Sequence, residues 1–96
     1  MGDARADIRL IREALGRARS NIHANPDPWD AFADASELSA LGEEIRTDAG
    51  HMRADRAWQL KQRSGRSTAQ LGKTLGLSKP GIGRLIRIGK GREGAA

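Results

Sequence analysis

The segment from Ser67 to Ile88 places the strongest constraint on how this chain can fold. Its sequence, STAQLGKTLGLSKPGIGRLIRI, predicts two short helices joined by a tight turn. Ser67 and Gln70 form a capping-box pattern at the start of the first helix, and Gly76 supplies the positive φ that ends it. Ser78 caps the second helix, whose first turn accommodates a proline because the missing N–H leaves no donor unpaired. The sequence therefore predicts a pair of helices that share one apolar face.

The apolar and glycine positions of this segment resemble the helix-turn-helix of bacterial and phage repressors, and the promoter-reading tail of sigma factors. The family has a small residue within the first helix, where this chain has Gly72, and a Leu-Gly-apolar turn, which Leu75-Gly76-Leu77 matches. Two apolar anchors of the second helix correspond to Ile82 and Leu85. The resemblance covers 22 of the 96 residues and implies that the ligand is duplex DNA. The alternative is an αα-hairpin that only contributes to the packing of the protein and binds no DNA.

Basic residues are concentrated in the same half of the chain as this motif. Residues 1–52 contain six Arg or Lys and ten Asp or Glu, whereas residues 53–96 contain eleven basic and two acidic residues. Positive charge beside a predicted DNA-binding motif is the electrostatic pattern expected of a polyanion-binding protein. A solvated basic face without a ligand is the alternative interpretation.

The composition favours a single small all-α domain. The chain has 96 residues with only one Phe and two Trp, and no segment alternates between apolar and polar residues as a strand does. The absence of cysteine excludes disulfides and thiolate metal sites. No apolar run approaches the roughly 18 residues that a membrane span needs, and the first residues, MGDARADIRL, lack a signal-peptide core. We therefore expect a cytoplasmic, nucleoid-associated protein without a membrane partner.

The N-terminal residues up to about Ala24 predict an amphipathic helix that ends at Asn25-Pro26. Its apolar residues follow the alternating spacing of three and four that is typical of a coiled-coil seam. These residues are Ala4, Ile8, Ile11, Leu15, Ala18 and Ile22. We predict that Ile8, Ile11, Leu15 and Ile22 join two subunits. Packing of the same seam within its own chain is the alternative.

A second helical region begins at Asp27-Pro28 and carries an acidic outer surface. Ala49-Gly50-His51 is the best candidate for a break or kink in it. The alternative, since no proline is present, is a helix that runs straight through. The helix from Arg53 to Arg63 would complete a three-helix core, with Trp58 packed against Leu71 and Leu85. We predict three regions: an N-terminal helical dimerisation or partner region (1–52), a helix-turn-helix domain (53–89) and a flexible basic tail (90–96).

By the resemblance, the second helix of the motif, residues 78–88, is a recognition helix that lies in the major groove. Lys79 and Arg84 are the candidates for contacts to guanine edges, and Arg87 is a candidate for phosphate. The start of the first helix would face the DNA backbone. The predicted DNA-binding residues are Ser67, Thr68, Gln70, Lys73, Ser78, Lys79, Pro80, Gly81, Gly83, Arg84, Arg87 and Lys90.

Enzymatic chemistry has little support in the sequence. His23 and His51 lie far apart in the chain, and the adjacent Glu43 and Glu44 would point to different sides of a helix. We therefore predict no catalytic residue, no metal site and no cofactor. The expected function is that of a small homodimeric transcriptional regulator, with repression as the default. The alternatives are a plasmid or phage factor for partition, replication or excision, and a protein-interaction module that contacts RNA polymerase or another partner through the acidic helices.

Overall fold

The computed structural model describes residues 2–95 and contains four helices in that range. They are α1 (Ala4–Ala24), α2 (Pro28–Ser64), α3 (Thr68–Leu75) and α4 (Lys79–Ala95). No strand occurs in residues 2–95, so the predicted all-α class is confirmed. None of these helices combines the length and the apolar character needed to cross a lipid bilayer. Met1 and Ala96, which belong to the predicted N-terminal region and tail, lie outside the described residues.

The chain divides into two compact units, Met1–Gly42 and Glu43–Ala96. The boundary therefore lies upstream of the predicted one at residue 52, and it falls within the continuous helix α2. Gly50, the candidate for a break, is helical, and α2 runs straight through as the alternative expected. A glycine inside a helix costs only about 1 kcal/mol relative to alanine, and without a proline the backbone hydrogen bonds continue across it.

The first unit is a helical hairpin of α1 and the beginning of α2. The Asp3 side chain caps α1 by accepting a hydrogen bond from the backbone N–H of Arg5 at 3.0 Å. In the connection, Asn25 accepts from the N–H of Asp27, and Asp27 accepts from the N–H of Trp29, each at 3.0 Å. Side chains from both helices line a shared apolar groove, among them Leu15, Ile22, Ala35 and Leu38. The predicted helix start at Asp27-Pro28 is confirmed.

The second unit contains the buried core. Ala57 of α2, Leu71 of α3 and Ile82 of α4 form its centre, and Ala54 of α2 is also fully buried. The partly buried residues packed against this centre are Leu77, Leu85 and Ile86. One apolar side of each of three helices thus meets in a single cluster, as the spacing of the apolar residues predicts.

Capping and turn residues close together in the sequence determine where α3 begins and ends. The Ser67 hydroxyl accepts from the N–H of Gln70 at 3.2 Å, and the Gln70 side chain accepts from the N–H of Ser67 at 2.9 Å. This reciprocal pair is the predicted capping box. Gly76 ends the helix in the left-handed region with φ of 70°, also as predicted. The turn is tight because the N–H of Leu77 donates to the carbonyl of Gly72 at 2.7 Å.

Gly72 allows α3 to approach the start of α4 closely. A β-carbon at this position would lie 2.9 Å from the carbonyl oxygen of Leu77 and 3.0 Å from Cγ2 of Ile82. These distances are shorter than ordinary van der Waals contact. A small residue is therefore required at the position where the sequence pattern placed one.

Residues 90–95, which belong to the predicted flexible tail, form the last turns of α4. Gly89 is buried at the crossing with α2, where a β-carbon would meet the backbone of Ala54 and lie 2.8 Å from Cβ of Trp58. Beyond the crossing, Arg92 donates two hydrogen bonds to the Asp55 carboxylate, at 2.8 and 3.3 Å. The Arg92 guanidinium, through this hydrogen bond, lowers the pKa of Asp55 below its ordinary value. These contacts join the glycine-rich last turns of α4 to α2.

Trp58 lies in a different place from the predicted one. Its neighbour Ala57 occupies the position beside Leu71, whereas Trp58 is half-buried against the C-terminal half of α4. The indole Nε1 donates a hydrogen bond to the Glu93 carboxylate. The reason is helical phase: Ala54 and Ala57 face the core, so Trp58, one position further, is rotated by about 100°.

Gly76→Ala is expected to destabilise the protein by about 1 kcal/mol. No atom lies within 4 Å of a β-carbon built at this position, so the cost comes only from the positive φ. Gly50→Ala is the matched control, because Gly50 is helical and has the same free space. It should stabilise the protein by up to about 1 kcal/mol. Urea unfolding followed by circular dichroism measures both; equal effects of the two substitutions would contradict the left-handed turn.

Candidate nucleic-acid interface

The candidate interface is built around the exposed side of α4. Ser78 caps this helix: its hydroxyl accepts from the N–H of Gly81 at 3.1 Å, and its carbonyl accepts from the N–H of Ile82 at 3.0 Å. Pro80 lies in the first turn, where no intrahelical donor is needed. This cap fixes the start of α4, and Ile82, four positions after Ser78, is fully buried against α2 and α3.

Two cationic residues of α4, Arg84 and Arg87, lie on the side away from the core. Pro80, Arg84 and Arg87 are exposed and follow one another at spacings of four and three residues, which places them on one face. Ser78 and Lys79 are exposed at the beginning of the helix, and the small residues Gly81 and Gly83 are half-buried. The same helix therefore presents an apolar face to the protein and a cationic face to solvent.

The predicted residues at the beginning of α3 are exposed, except that Thr68 is half-buried. Ser67 and Gln70 each accept a backbone hydrogen bond in the capping box, so their side chains already hold the helix start. The hydroxyl proton of Ser67 and the amide protons of Gln70 remain suitable donors to phosphate. Lys73 is exposed on the following turn.

Most of the positive charge in this unit is not neutralised within the chain. Among residues 53–95, the ion pair that meets a 4.0 Å limit joins Arg92 to Asp55. Other cations donate to neutral groups: Arg56 to the Gln59 side chain at 2.7 Å, and Lys61 to the carbonyl of Arg66 at 3.0 Å. Cations without a carboxylate partner raise the local potential and favour binding of a polyanion.

Lys90 occupies a more restricted position than Arg84 and Arg87. It is exposed, but its ammonium group lies 5.7 Å from the centroid of the Trp58 ring, a cation–π arrangement. The structure thus groups Lys90 with the α2–α4 contact, although the sequence analysis assigned it to DNA.

Arg53 was missed by the sequence analysis. It lines a cleft together with Ser78, Gly81 and Arg84, although it belongs to α2 and precedes Ser78 by 25 positions. The side chain is exposed and adds a further cation at the beginning of α4. No local pattern distinguishes Arg53 from the other arginines of α2, because only the packing of α2 against α4 brings it to this place.

No group of three or more His, Asp or Glu side chains among residues 2–95 is arranged to hold a metal ion. His51 is half-buried and His23 is exposed, and they belong to different units of the chain. The groups that the second unit offers to a ligand are thus mainly guanidinium and ammonium groups, hydroxyls and backbone N–H groups, which are donors suited to phosphate oxygens and to base edges.

Comparisons with protein-family models, with curated proteins and with solved structures give no match to this chain.

Proposed function

We propose that the chain binds duplex DNA as a small homodimeric transcriptional regulator, with α3 and α4 acting as a helix-turn-helix. The recognition helix, residues 78–88, would enter the major groove with Lys79 and Arg84 directed at guanine edges. Arg87, Lys73 and the start of α3 would contact phosphates. In a homodimer, two such helices separated by about 34 Å would contact one face of the duplex. Repression would follow from occupation of a promoter.

One observation carries this proposal: α4 has a fully buried apolar residue, Ile82, and exposed arginines on its other side. A helix that only completed a core would not need unpaired cations on its outer face. Within residues 2–95, Arg84 and Arg87 have no carboxylate within 4.0 Å. When these two arginines leave water to contact phosphate, no ion pair within the chain has to be broken.

Arg84→Ala is expected to weaken binding to the preferred duplex by about 1–3 kcal/mol and to relax the base preference at one position. Loss of a bidentate guanine contact is the physical reason. Selection of bound sequences from a random duplex pool, followed by fluorescence anisotropy on the selected site, gives the measurement. Equal weakening on every sequence would instead assign Arg84 to phosphate.

Arg46→Ala is the matched control. The Arg46 side chain is 83% exposed, and its nearest carboxylate, that of Glu43, lies 4.0 Å away. The substitution removes the same charge from a position far from α4 in the sequence, so affinity and base preference should change little. No detectable duplex binding by the unmodified protein, on any sequence in the pool, would overturn the proposed function.

A further inference from the structure

The N-terminal hairpin exposes apolar side chains and has no core of its own. None of residues 2–42 is buried. Seven large apolar side chains in this range are exposed: Ile8, Leu10, Ile11, Leu15, Trp29, Phe32 and Leu41. Trp29 and Phe32 are 85% and 74% exposed, and Ile11 is 52% exposed. By contrast, all four core residues, Ala54, Ala57, Leu71 and Ile82, belong to the second unit.

A helical hairpin of about 40 residues needs more apolar burial than this to be stable. Helices in proteins obtain most of their stability from packing of an apolar face, not from intrinsic propensity. Chains of about 40 residues or fewer usually depend on disulfides, metals or association with another chain. The sequence has no cysteine, and no metal cluster is present in residues 2–95. Association is therefore the remaining route.

The charges of the hairpin indicate which partner fits. Helix α1 carries five arginines against Asp7 and Glu13, an excess of three positive charges. Residues 28–42 carry Asp30, Asp34 and Glu37 and no basic residue, an excess of three negative charges. The ion pairs found in residues 2–95, Glu43–Arg46 and Asp55–Arg92, both lie outside this hairpin. The two helical segments thus have opposite charges that the single chain leaves unpaired.

A second copy of the same chain supplies a negatively charged surface for α1 and a positively charged surface for residues 28–42. In a two-fold arrangement each surface meets its counterpart twice, so an excess of three positive charges can face an excess of three negative charges at two places. An arrangement with α1 against α1 would instead bring like charges together, which is unfavourable.

We propose that two copies pair through this hairpin, with α1 of each copy lying against the first part of α2 of the other. Helix formation in residues 4–42 and dimerisation are then one coupled event, because the hairpin acquires a buried core only in the pair. This inference defines the interface of the homodimer and so rests on that part of the proposed function. It also implies that the helix content of the full chain falls on dilution.

The first experiment is sedimentation equilibrium of the full chain, combined with circular dichroism over a range of concentrations. A dimer is expected, and dissociation should remove the helical signal of residues 4–42. Ile11→Asp should yield a monomer, because a carboxylate cannot be buried in the interface without a partner. Ser20→Asp is the control: it lies nine positions further along α1, on the opposite side of the helix, and is exposed. It should remain dimeric.

Charge reversal tests the arrangement of the two copies. One variant replaces Arg5, Arg9 and Arg12 with glutamate, and the other replaces Asp34 and Glu37 with arginine. Each variant alone should self-associate at least about tenfold more weakly, and an equimolar mixture should recover a heterodimer, since opposite charges again face each other. Undiminished self-association of the first variant would overturn the pairing of α1 with the second copy's α2.

The outcomes separate this inference from DNA binding. A full chain that stays monomeric with unchanged helicity at about 100 μM, well above the concentrations at which stable dimers form, overturns the inference. If that monomer still binds duplex DNA, the proposed DNA binding survives. A dimer disrupted by Ile11→Asp but without affinity for duplex DNA gives the opposite result: the interface is supported and the DNA-binding function fails.

Discussion

Gly89→Ala is expected to destabilise the second unit by about 3 kcal/mol, at the upper end of the usual cost of overpacking. The added methyl group would meet the backbone of Ala54 and approach Cβ of Trp58 to 2.8 Å. A backbone atom cannot rotate away as a side chain can, so α2 and α4 must separate. That separation loosens the packing of Ile82, which is fully buried. The melting temperature should fall by at least about 10 °C for a chain of this size.

Gly91→Ala provides a control of the same chemical type on the same helix. No atom lies within 4 Å of a β-carbon at Gly91, and the residue is helical and exposed. The substitution should stabilise the protein by up to about 1 kcal/mol, since alanine has the higher helix propensity. Thermal and urea unfolding monitored at 222 nm measure both variants. If Gly89→Ala stabilised the protein as Gly91→Ala does, the close contact between α2 and α4 would be refuted.

Duplex binding is expected to depend steeply on salt. Neutralising about four or five phosphates per subunit contributes about −4 to the log–log slope, so the proposed homodimer should show a slope near −8 and a twofold rise in salt should weaken its binding by roughly 250-fold. The expected number of contacts comes from the cations gathered around α4, including Lys73, Lys79, Arg84 and Arg87. Anisotropy titrations between about 50 and 200 mM salt provide the measurement. A slope near zero would exclude phosphate contacts as a source of affinity.

The Arg53→Ala variant tests whether this residue contributes to the salt dependence of duplex binding. Because Arg53 lies beside Ser78 and Arg84 at the beginning of α4, we expect it to contact phosphate. Its removal should make the slope shallower by about 0.9 per subunit and weaken all duplex sequences to a similar extent. Arg46→Ala again serves as the control and should leave the slope unchanged. An unaltered slope for Arg53→Ala would remove this residue from the interface.

The features that sequence analysis predicted correctly depend on residues close together in the chain. The capping box of Ser67 and Gln70, the left-handed Gly76 and the Ser78 cap each involve groups at most four positions apart. The physical signals are strong because backbone donors at helix ends must find a partner and because few residues tolerate positive φ. The spacing of Ile82, Leu85 and Ile86 is also local, and it places Arg84 and Arg87 on the exposed side of α4.

The features that were missed depend on contacts between distant segments. Glycine content favoured a disordered end after residue 89, but Gly89 is three positions after Ile86, which packs against the core, and therefore faces the same side. Its lack of a side chain serves the crossing with α2, and Arg92 then reaches Asp55, 37 positions earlier in the chain. Arg53 lies beside the start of α4 because α2 packs against α4. Such pairings have no local signature, so a single sequence does not reveal them.

The placement of the two tryptophans gives each unit its own fluorescent reporter. The chain has no tyrosine, so these indoles account for nearly all of its near-ultraviolet emission. Trp29 is largely solvated in the first unit, whereas Trp58 is half-buried beside Lys90 and Glu93 in the second. In the Trp58→Phe variant only the hairpin would emit, and in the Trp29→Phe variant only the second unit would emit. Dimerisation and ligand binding can therefore be followed separately, without an added dye.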